Sequence, residues 1–197
     1  MKIHLIRKFS FANIAIAAKP SITGLLMRAA MVGGLLFGAM GGIESSMAQS
    51  ASEKSLGAFK NWTAYVYDND DGRICTMWST PTKSEGNYTR RGKIWAFVTH
   101  RPDINTQNEL VFQQGYAVDG DKAVTLTIDG KKMEGSYTQD ETIFYHIAQS
   151  TDIVNAMRRG NSMIMKSISS RGTLTTDRYS LLGFTAAHRA ITEACAQ

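Results

Sequence analysis

The sequence predicts a mostly β fold: a single antiparallel β-sandwich or open barrel, with a short inserted helix and a C-terminal helix packed on the sheet. Three observations support this prediction. Short runs of aromatic and β-branched residues recur between turn signals such as Asp71-Gly72, Asp119-Gly120 and Asp129-Gly130. The last segment has apolar residues at helical spacing. The only two cysteines, Cys75 and Cys195, flank most of the predicted domain.

Nine runs have the composition and length of strands. They cover residues 62–67, 73–79, 94–99, 109–116, 123–128, 131–137, 142–147, 162–168 and 175–181. Residues 81–93 are predicted to be a polar loop. Residues 94–99 are almost continuously apolar, which is typical of a central strand buried on both faces.

One short helix is predicted over residues 151–159. Ser150 or Thr151 can cap its N-terminus, Arg158 and Arg159 lie in its last turn, and Gly160 follows it. These signals give the helix a start and an end.

The C-terminal helix begins near Gly183 and carries a cysteine. Phe184, His188, Ile191 and Cys195 follow at spacings of 4, 3 and 4, so they share one helix face. Cys195 therefore points towards the sheet, where it can pair with Cys75. The alternative is two separate buried thiols.

The N-terminal segment has the order of a secretory signal. Residues 1–30 are basic and lack acidic residues, residues 31–43 are apolar, and Ser46-Met47-Ala48 offers small residues at a cleavage site. We expect residues 1–48 to be a signal peptide cleaved after Ala48, residues 49–58 to be a disordered lead-in, and residues 59–197 to form the domain. An uncleaved anchor and a start at Met27 remain alternatives.

The positive charge lies mostly in this leader. The chain carries a net charge of +5, but residues 1–48 hold five basic residues and one acidic residue, while the remainder holds 17 basic and 16 acidic residues. A nearly neutral domain attracts phosphate backbones weakly, so we predict no nucleic-acid partner.

No catalytic or metal motif stands out. His100, His146 and His188 lack the spacing of a zinc site, and no Gly-x-Ser-x-Gly motif marks a hydrolase. The acidic run at residues 68–72 places glycine at loop position 5 and Ser79 at position 12, unlike a calcium loop. We therefore predict no metal, no cofactor and no catalytic residue.

A set of cations is the strongest candidate for a binding site. Its members are Arg90, Arg91, Lys93, His100, Arg101 and Arg171. They are predicted to lie in loops or at strand ends, and Arg171 in Ser-Ser-Arg-Gly-Thr can present its guanidinium beside turn N–H groups to an anion. The alternative is a set of unrelated solvated charges, some paired with Glu85 or Asp103.

Several segments together resemble the invasion-associated locus B family of exported bacterial proteins. They are Asn61-Trp62-Thr63-Ala64-Tyr65, the Cys75 strand, Pro81-Thr82-Lys83-Ser84-Glu85-Gly86-Asn87-Tyr88, Val98-Thr99-His100-Arg101-Pro102, Ile128-Asp129-Gly130-Lys131-Lys132, Ser169-Ser170-Arg171-Gly172-Thr173 and Tyr179-Ser180-Leu181-Leu182-Gly183-Phe184-Thr185-Ala186-Ala187. The resemblance covers most of residues 59–196. It implies a periplasmic or envelope β-sandwich-like protein with a cysteine pair, in a family named for host-cell invasion.

We therefore predict a non-enzymatic exported protein, periplasmic, outer-envelope or secreted, that acts through surface contacts. Its expected partner is an envelope or host-surface protein, with peripheral contact to outer-membrane components, in host-cell association or envelope integrity. The alternative is a periplasmic small-ligand or anion-binding protein, or a hydrolase, with a pocket near His100 and Arg171.

Overall fold

The computed structural model describes residues 52–70 and 72–196, and this part of the chain is mostly β. Its strands are β1 (Ser52–Phe59), β2 (Trp62–Asn69), β3 (Gly72–Ser79), β4 (Lys83–Gly86), β5 (Trp95–Arg101), β6 (Thr106–Gln113), β7 (Thr125–Ile128), β8 (Lys131–Met133), β9 (Ser136–Gln139), β10 (Thr142–Tyr145), β11 (Ser162–Ile168) and β12 (Leu174–Ser180). The helices are α1 (Ile147–Arg159) and α2 (Phe184–Cys195). A 3₁₀ turn, Pro102–Ile104, lies between β5 and β6.

The strands form two antiparallel sheets, so the predicted β-sandwich with a C-terminal helix is confirmed. The large sheet has seven strands in the order β1-β2-β3-β5-β6-β10-β9. The small sheet has five strands in the order β4-β12-β11-β7-β8.

The core lies between the inner faces of the sheets. Side chains alternate along each strand, so one set is buried and the next faces outwards. Trp62, Met77 and Phe112 of the large sheet are fully buried, as is Met165 of the small sheet. The rings of Phe112 and Tyr179 meet across the sandwich with centroids 6.2 Å apart.

Helix α2 closes one end of this core, as its apolar face predicted. Phe184, Ala187 and Ile191 are buried, and the Phe184 ring meets Trp62 edge to face at 4.8 Å. The Cys75–Cys195 disulfide joins the end of α2 to β3 and spans 120 residues, which confirms the predicted pairing.

Helix α1 starts at Ile147, earlier than predicted. Ser150 does not cap it. Ser150 is buried within the helix and donates its hydroxyl to the Tyr145 carbonyl at 3.2 Å. The face of α1 that carries Ser150, Ile153, Val154 and Met157 packs into the core, so the helix begins before the N-cap that the sequence predicts.

The prediction of a disordered lead-in is wrong for residues 52–58. They belong to β1, which pairs with β2 from Ser52 opposite Asp68 to Phe59 opposite Trp62, with a bulge near Gly57. Residues 52–55 are polar and exposed, so the segment shows no strand alternation, whereas Leu56 and Phe59 are partly buried against the core. Its pairing comes from backbone hydrogen bonds along the open edge of β2. Residues 49–51 and the predicted signal peptide, residues 1–48, lie outside the described residues.

Two other segments differ from the prediction. The expected single strand at residues 131–137 is two strands, β8 in the small sheet and β9 in the large sheet. Gly135, with φ +91°, lies where the chain crosses between them. The expected loop at 81–93 contains β4, a polar edge strand paired with β12.

Candidate interaction surface on the large sheet

The outer face of the large sheet carries a continuous line of apolar side chains. Trp78 lies opposite Phe97, Phe97 opposite Val111, Val111 opposite Phe144, and Phe144 opposite Tyr137. We call these five residues the aromatic row. It crosses the adjacent strands β3, β5, β6, β10 and β9, a length of about 19 Å at the usual strand spacing. Tyr137 is 46% exposed, and the other four are partly exposed.

Neighbouring rings extend the row. Trp95 lies two residues before Phe97 on the same face, with its ring 5.5 Å from Phe97 and 6.3 Å from Trp78. The Lys93 ammonium lies 5.3 Å from the Trp95 ring centroid, within cation–π range. At the other end, Tyr137 stacks on Phe144 at 5.3 Å. The surface therefore holds two groups of rings in contact, Trp78–Trp95–Phe97 and Phe144–Tyr137, with the side chain of Val111 between them.

Polar groups between and beside these rings are mostly paired with each other. The Thr76 and Thr99 hydroxyls are 2.9 Å apart, and Arg101 forms an ion pair with Glu109 at 3.2 Å. Gln113 donates to Glu141 at 3.3 Å. The middle of the aromatic row, Phe97, Val111 and Phe144, thus presents apolar side chains and no charged one.

The outer face of the small sheet is different. Lys83 pairs with Glu85 at 2.6 Å, and Arg178 lies 3.7 Å from Glu85. Lys166 and Thr176 lie opposite each other on the same face. The pKa of Glu85 is lowered, chiefly by its hydrogen bond to Lys83 and by the charge of Lys83. One outer face is therefore aromatic and the other is charged, within the same sandwich.

Sequence reasoning missed the aromatic row because it misjudged β5. The apolar run at 94–99 does form the central strand of the large sheet, as predicted. However, the strand is not buried on both faces as predicted. Ala96 and Val98 face the core, whereas Trp95 and Phe97 face outwards and are partly exposed. An apolar run with large aromatic residues at every second position was the available signal.

The structure does not bring the predicted cations together. Arg90 and Arg91 precede β5, whereas His100 and Arg101 end it, and seven residues of extended strand separate these ends by roughly 20 Å. Arg171 lies in the exposed turn between β11 and β12. Glu85 and Asp103 pair with none of them: Asp103 instead accepts the backbone N–H of Arg73 at 2.7 Å.

Arg91 is part of the interior, so its assignment to an anion site is wrong. Its guanidinium donates to both carboxylate oxygens of Asp177, at 2.8 and 2.7 Å, and to the Gln114 carbonyl at 2.6 Å. It also lies 4.7 Å from the Tyr116 ring centroid. Burial lowers the pKa of Arg91, but the hydrogen bond and charge of Asp177 outweigh burial and raise it overall.

A polar network surrounds this ion pair. The Tyr116 hydroxyl contacts the hydroxyls of Ser167 and Thr175 at 2.7 and 2.5 Å, and Ser167 donates to Gln114 at 2.9 Å. Because the network links the two sheets and its Gln114, Ser167 and Thr175 side chains are buried, we assign it a structural role.

His100 and Arg101 lie at the end of strand β5, one of the two kinds of position predicted for the cations. His100 is 5% exposed and faces α2, and Arg101 is held by Glu109. Of the turn amides around Arg171, the N–H groups of Ser170, Gly172 and Thr173 already donate within the protein. Anion binding by Arg90 or Arg171 stays a prediction.

A cleft of about 260 Å³ lies at the β9 edge. Lys122, Lys132, Glu134 and Tyr137 are among its lining residues, and neither His100 nor Arg171 is. The expected pocket near His100 and Arg171 therefore gains no support.

Among residues 52–70 and 72–196, no three His, Cys, Asp or Glu side chains come together as a metal site. Neither described helix is long and apolar enough to cross a membrane.

The two antiparallel sheets and the Cys75–Cys195 disulfide together define the class of protein: a disulfide-closed antiparallel β-sandwich. A sequence profile of the invasion associated locus B (IalB) protein family matches residues 62–192. The chain belongs to this family, which confirms the resemblance. Its structure is similar to the crystal structure of invasion associated protein B from Bartonella henselae, with 15% identity and a TM-score of 0.50 over 73% of this chain and 99% of that chain. At that identity the likeness shows the fold alone. No protein with a curated description matches in sequence.

Proposed function

We propose that the protein is a non-enzymatic envelope protein that acts by contact with another protein, and that the aromatic row is its contact surface. The observation that carries the proposal is the contrast between the two outer faces. Exposed, contiguous aromatic surface bordered by polar groups is typical of protein interfaces, whose strongest contacts are often Trp and Tyr. The family and the Bartonella relative, each described as invasion-associated, support a role in host association.

The chemistry of the row favours a protein over a polyanion. Lipid phosphates and nucleic acids are bound chiefly through Lys and Arg. The middle of the row carries no charged side chain, and Arg101 beside it is neutralised by Glu109. A partner surface with apolar side chains matches this face.

We further propose that the protein works outside the cytoplasm, in the periplasm or at the outer envelope. The Cys75–Cys195 bridge supports this, since disulfides persist in oxidising compartments and are rare in reducing ones. The intact mass of the protein from the envelope fraction tests it, under non-reducing conditions. A chain that begins at Gln49 and lacks two hydrogens is expected. A full-length chain with two thiols would refute export.

Site-specific photo-crosslinking in the producing cells tests the contact surface. A photoreactive phenylalanine analogue replaces Phe97 or Phe144 in the row, and Lys166 or Arg178 on the charged face as matched controls. We expect covalent adducts with one defined protein from the first two positions and none from the controls. Equal adducts from both faces, or adducts with lipid alone, would overturn the assignment.

A further inference from the structure

Two histidines from different elements meet beside the disulfide. His100 of β5 lies opposite Cys75 in the sheet, and His188 comes from α2. Their rings are perpendicular, with centroids 5.3 Å apart. His100 is 5% exposed, so this pair belongs to the contact between the helix and the large sheet.

Asn108, at the start of β6, is bonded to both rings. Its backbone N–H donates to Nδ1 of His100 at 3.0 Å, and its side-chain Oδ1 lies 2.8 Å from Nε2 of His188. Asn108 adopts a left-handed conformation with φ +58°. The pair of bonds holds the segment between β5 and β6 against α2.

The hydrogen bonds define the protonation of His100. Nδ1 accepts a hydrogen bond from an amide, so it carries no proton. Nε2 lies 3.2 Å from the Thr192 hydroxyl, which itself donates to the His188 carbonyl at 2.8 Å. Nε2 is therefore the donor, and the ring is neutral.

A second proton on His100 is incompatible with this arrangement. It would place an N–H on Nδ1 opposite the Asn108 N–H, so two donors would face each other. A charge on His188 would also lie beside a charged His100, and like charges disfavour one another. Protonation of His100 thus breaks its bond from the Asn108 N–H. His188 donates from Nε2 to Asn108 Oδ1 in both charge states, so its protonation acts through repulsion between the two charged rings.

The surrounding charges do not offset such protonation. On β3, Arg73 donates to the Ala194 carbonyl at 3.3 Å and pairs with Asp68, while its backbone N–H is bound by Asp103 of the 3₁₀ turn. On β5 and β6, Arg101 and Glu109 pair with each other, and on α2 Arg189 and Glu193 do so. Arg158 of α1 disfavours a charge on His188. Of the described carboxylates, none hydrogen-bonds either imidazole.

Burial acts in the same direction. It lowers the pKa of His100, and burial together with the charges of His100 and Arg158 lowers the pKa of His188 to about 4. Both rings are therefore neutral at neutral pH, and the cluster stays closed.

We propose that His100, Asn108 and His188 form an acid-sensitive latch between α2 and the segment joining β5 to β6. At neutral pH the latch is closed. In acid His100 takes up a second proton and loses its bond from the Asn108 N–H. The charged His100 and His188 rings then repel each other, and residues 102–108 are released. The disulfide at the end of α2 keeps the helix tethered, so the opening is local.

The exchange of the Asn108 amide reports the latch directly, because its hydrogen bond ends on a titrating nitrogen. We would measure its protection factor by NMR in the disulfide-bonded protein from pH 7 to pH 4, corrected for intrinsic exchange. We expect a fall of at least about tenfold for Asn108, given the tenfold change in a protonation equilibrium per pH unit. The Met165 amide in the small sheet serves as the internal reference and stays protected.

Non-titrating variants separate the latch from general acid unfolding. In the double variant His100→Asn with His188→Gln, Asn retains an acceptor near Nδ1 and Gln a donor near Nε2, so the contacts persist without titration. We expect the acid response of Asn108 to disappear there and to persist in His146→Gln, whose histidine is exposed. An unchanged acid response in the double variant would overturn the proposal.

The wild type gives a second measure should the double variant not fold. Loss of Asn108 protection is expected to begin below about pH 6.5, where the rings of the opened state take up protons, and to continue down to pH 4, where the rings of the closed state also titrate. Asn108 protection that is unchanged at pH 4, or that falls only in parallel with the protection of the Met165 amide, would refute the latch.

Discussion

Arg91 and Asp177 form an ion pair in the interior, with side chains 3% and 0% exposed. The pair joins the segment before β5 to β12, so one residue expected at a surface site instead holds the two sheets together. Loss of one partner leaves an isolated buried charge, which costs far more than loss of an exposed pair.

Replacement of Arg91 with Met should therefore lower the free energy of unfolding by about 3–5 kcal/mol. Urea unfolding of the disulfide-bonded protein measures it. Lys83→Ala is the control, because the Lys83–Glu85 pair is exposed and its loss should change stability little. Equal effects of the two substitutions would contradict a structural role for the buried pair.

The Cys75–Cys195 bridge should contribute about 4–5 kcal/mol in the chain-entropy model, because it closes a loop of 120 residues. The Cys75→Ala, Cys195→Ala double variant should unfold at a lower urea concentration than the oxidised protein. Reductant should destabilise the wild type and leave the double variant unaffected. Wild type that unfolds at the same midpoint with and without reductant would show that the bridge adds nothing.

Gly183 lies before α2 with φ +90°, and a Cβ there would overlap the Phe59 carbonyl oxygen of β1. Gly172 has a similar φ of +81° with open space around it. Gly172→Ala should cost about 1–2 kcal/mol from the left-handed backbone alone. Gly183→Ala should lower the free energy of unfolding clearly more, because the new Cβ also displaces β1. Thermal unfolding of the two variants measures the difference. Similar losses would mean that β1 is not held against this position.

Acid should weaken the whole domain through the same histidines. The pKa of His188 is lowered to about 4 in the folded protein, against 6.5 for an ordinary histidine, so the unfolded chain binds more protons between these values. Stability contributed by the neutral ring is present above pH 6.5 and is lost as the pH falls towards 4. Urea midpoints from pH 7 to pH 4 should fall less in His188→Gln than in wild type. Parallel curves would show that other groups govern the acid dependence.

Periodicity predicted most of the β elements because strand alternation is a local property. Residues 162–168 were predicted as a strand and form β11 with the same bounds. β1 was missed because its first four residues, Ser52–Ser55, are polar and exposed, so the segment shows no strand alternation. Its pairing with β2 is a tertiary relationship that the local sequence does not record. The run at 131–137 was predicted as one strand because local composition does not record which sheet each half joins.

The site was less predictable than the fold. Counting cations placed Arg91, His100 and Arg171 in one cluster, although a buried carboxylate holds the first and α2 covers the second. The aromatic row was invisible for the opposite reason, since its members come from five strands that adjoin only after sheet pairing.

The sequence by itself determined the β class, the C-terminal helix, the orientation of Cys195 and the family, because strand and helix periodicity and local motifs lie within short stretches of chain. Only the tertiary structure decided which apolar side chains face outwards, which cations are buried, and which histidines meet. Each of these depends on the register between strands and on the packing of α2 across β5. Arg91 and Asp177, for example, are 86 positions apart, and no local pattern encodes such a relationship.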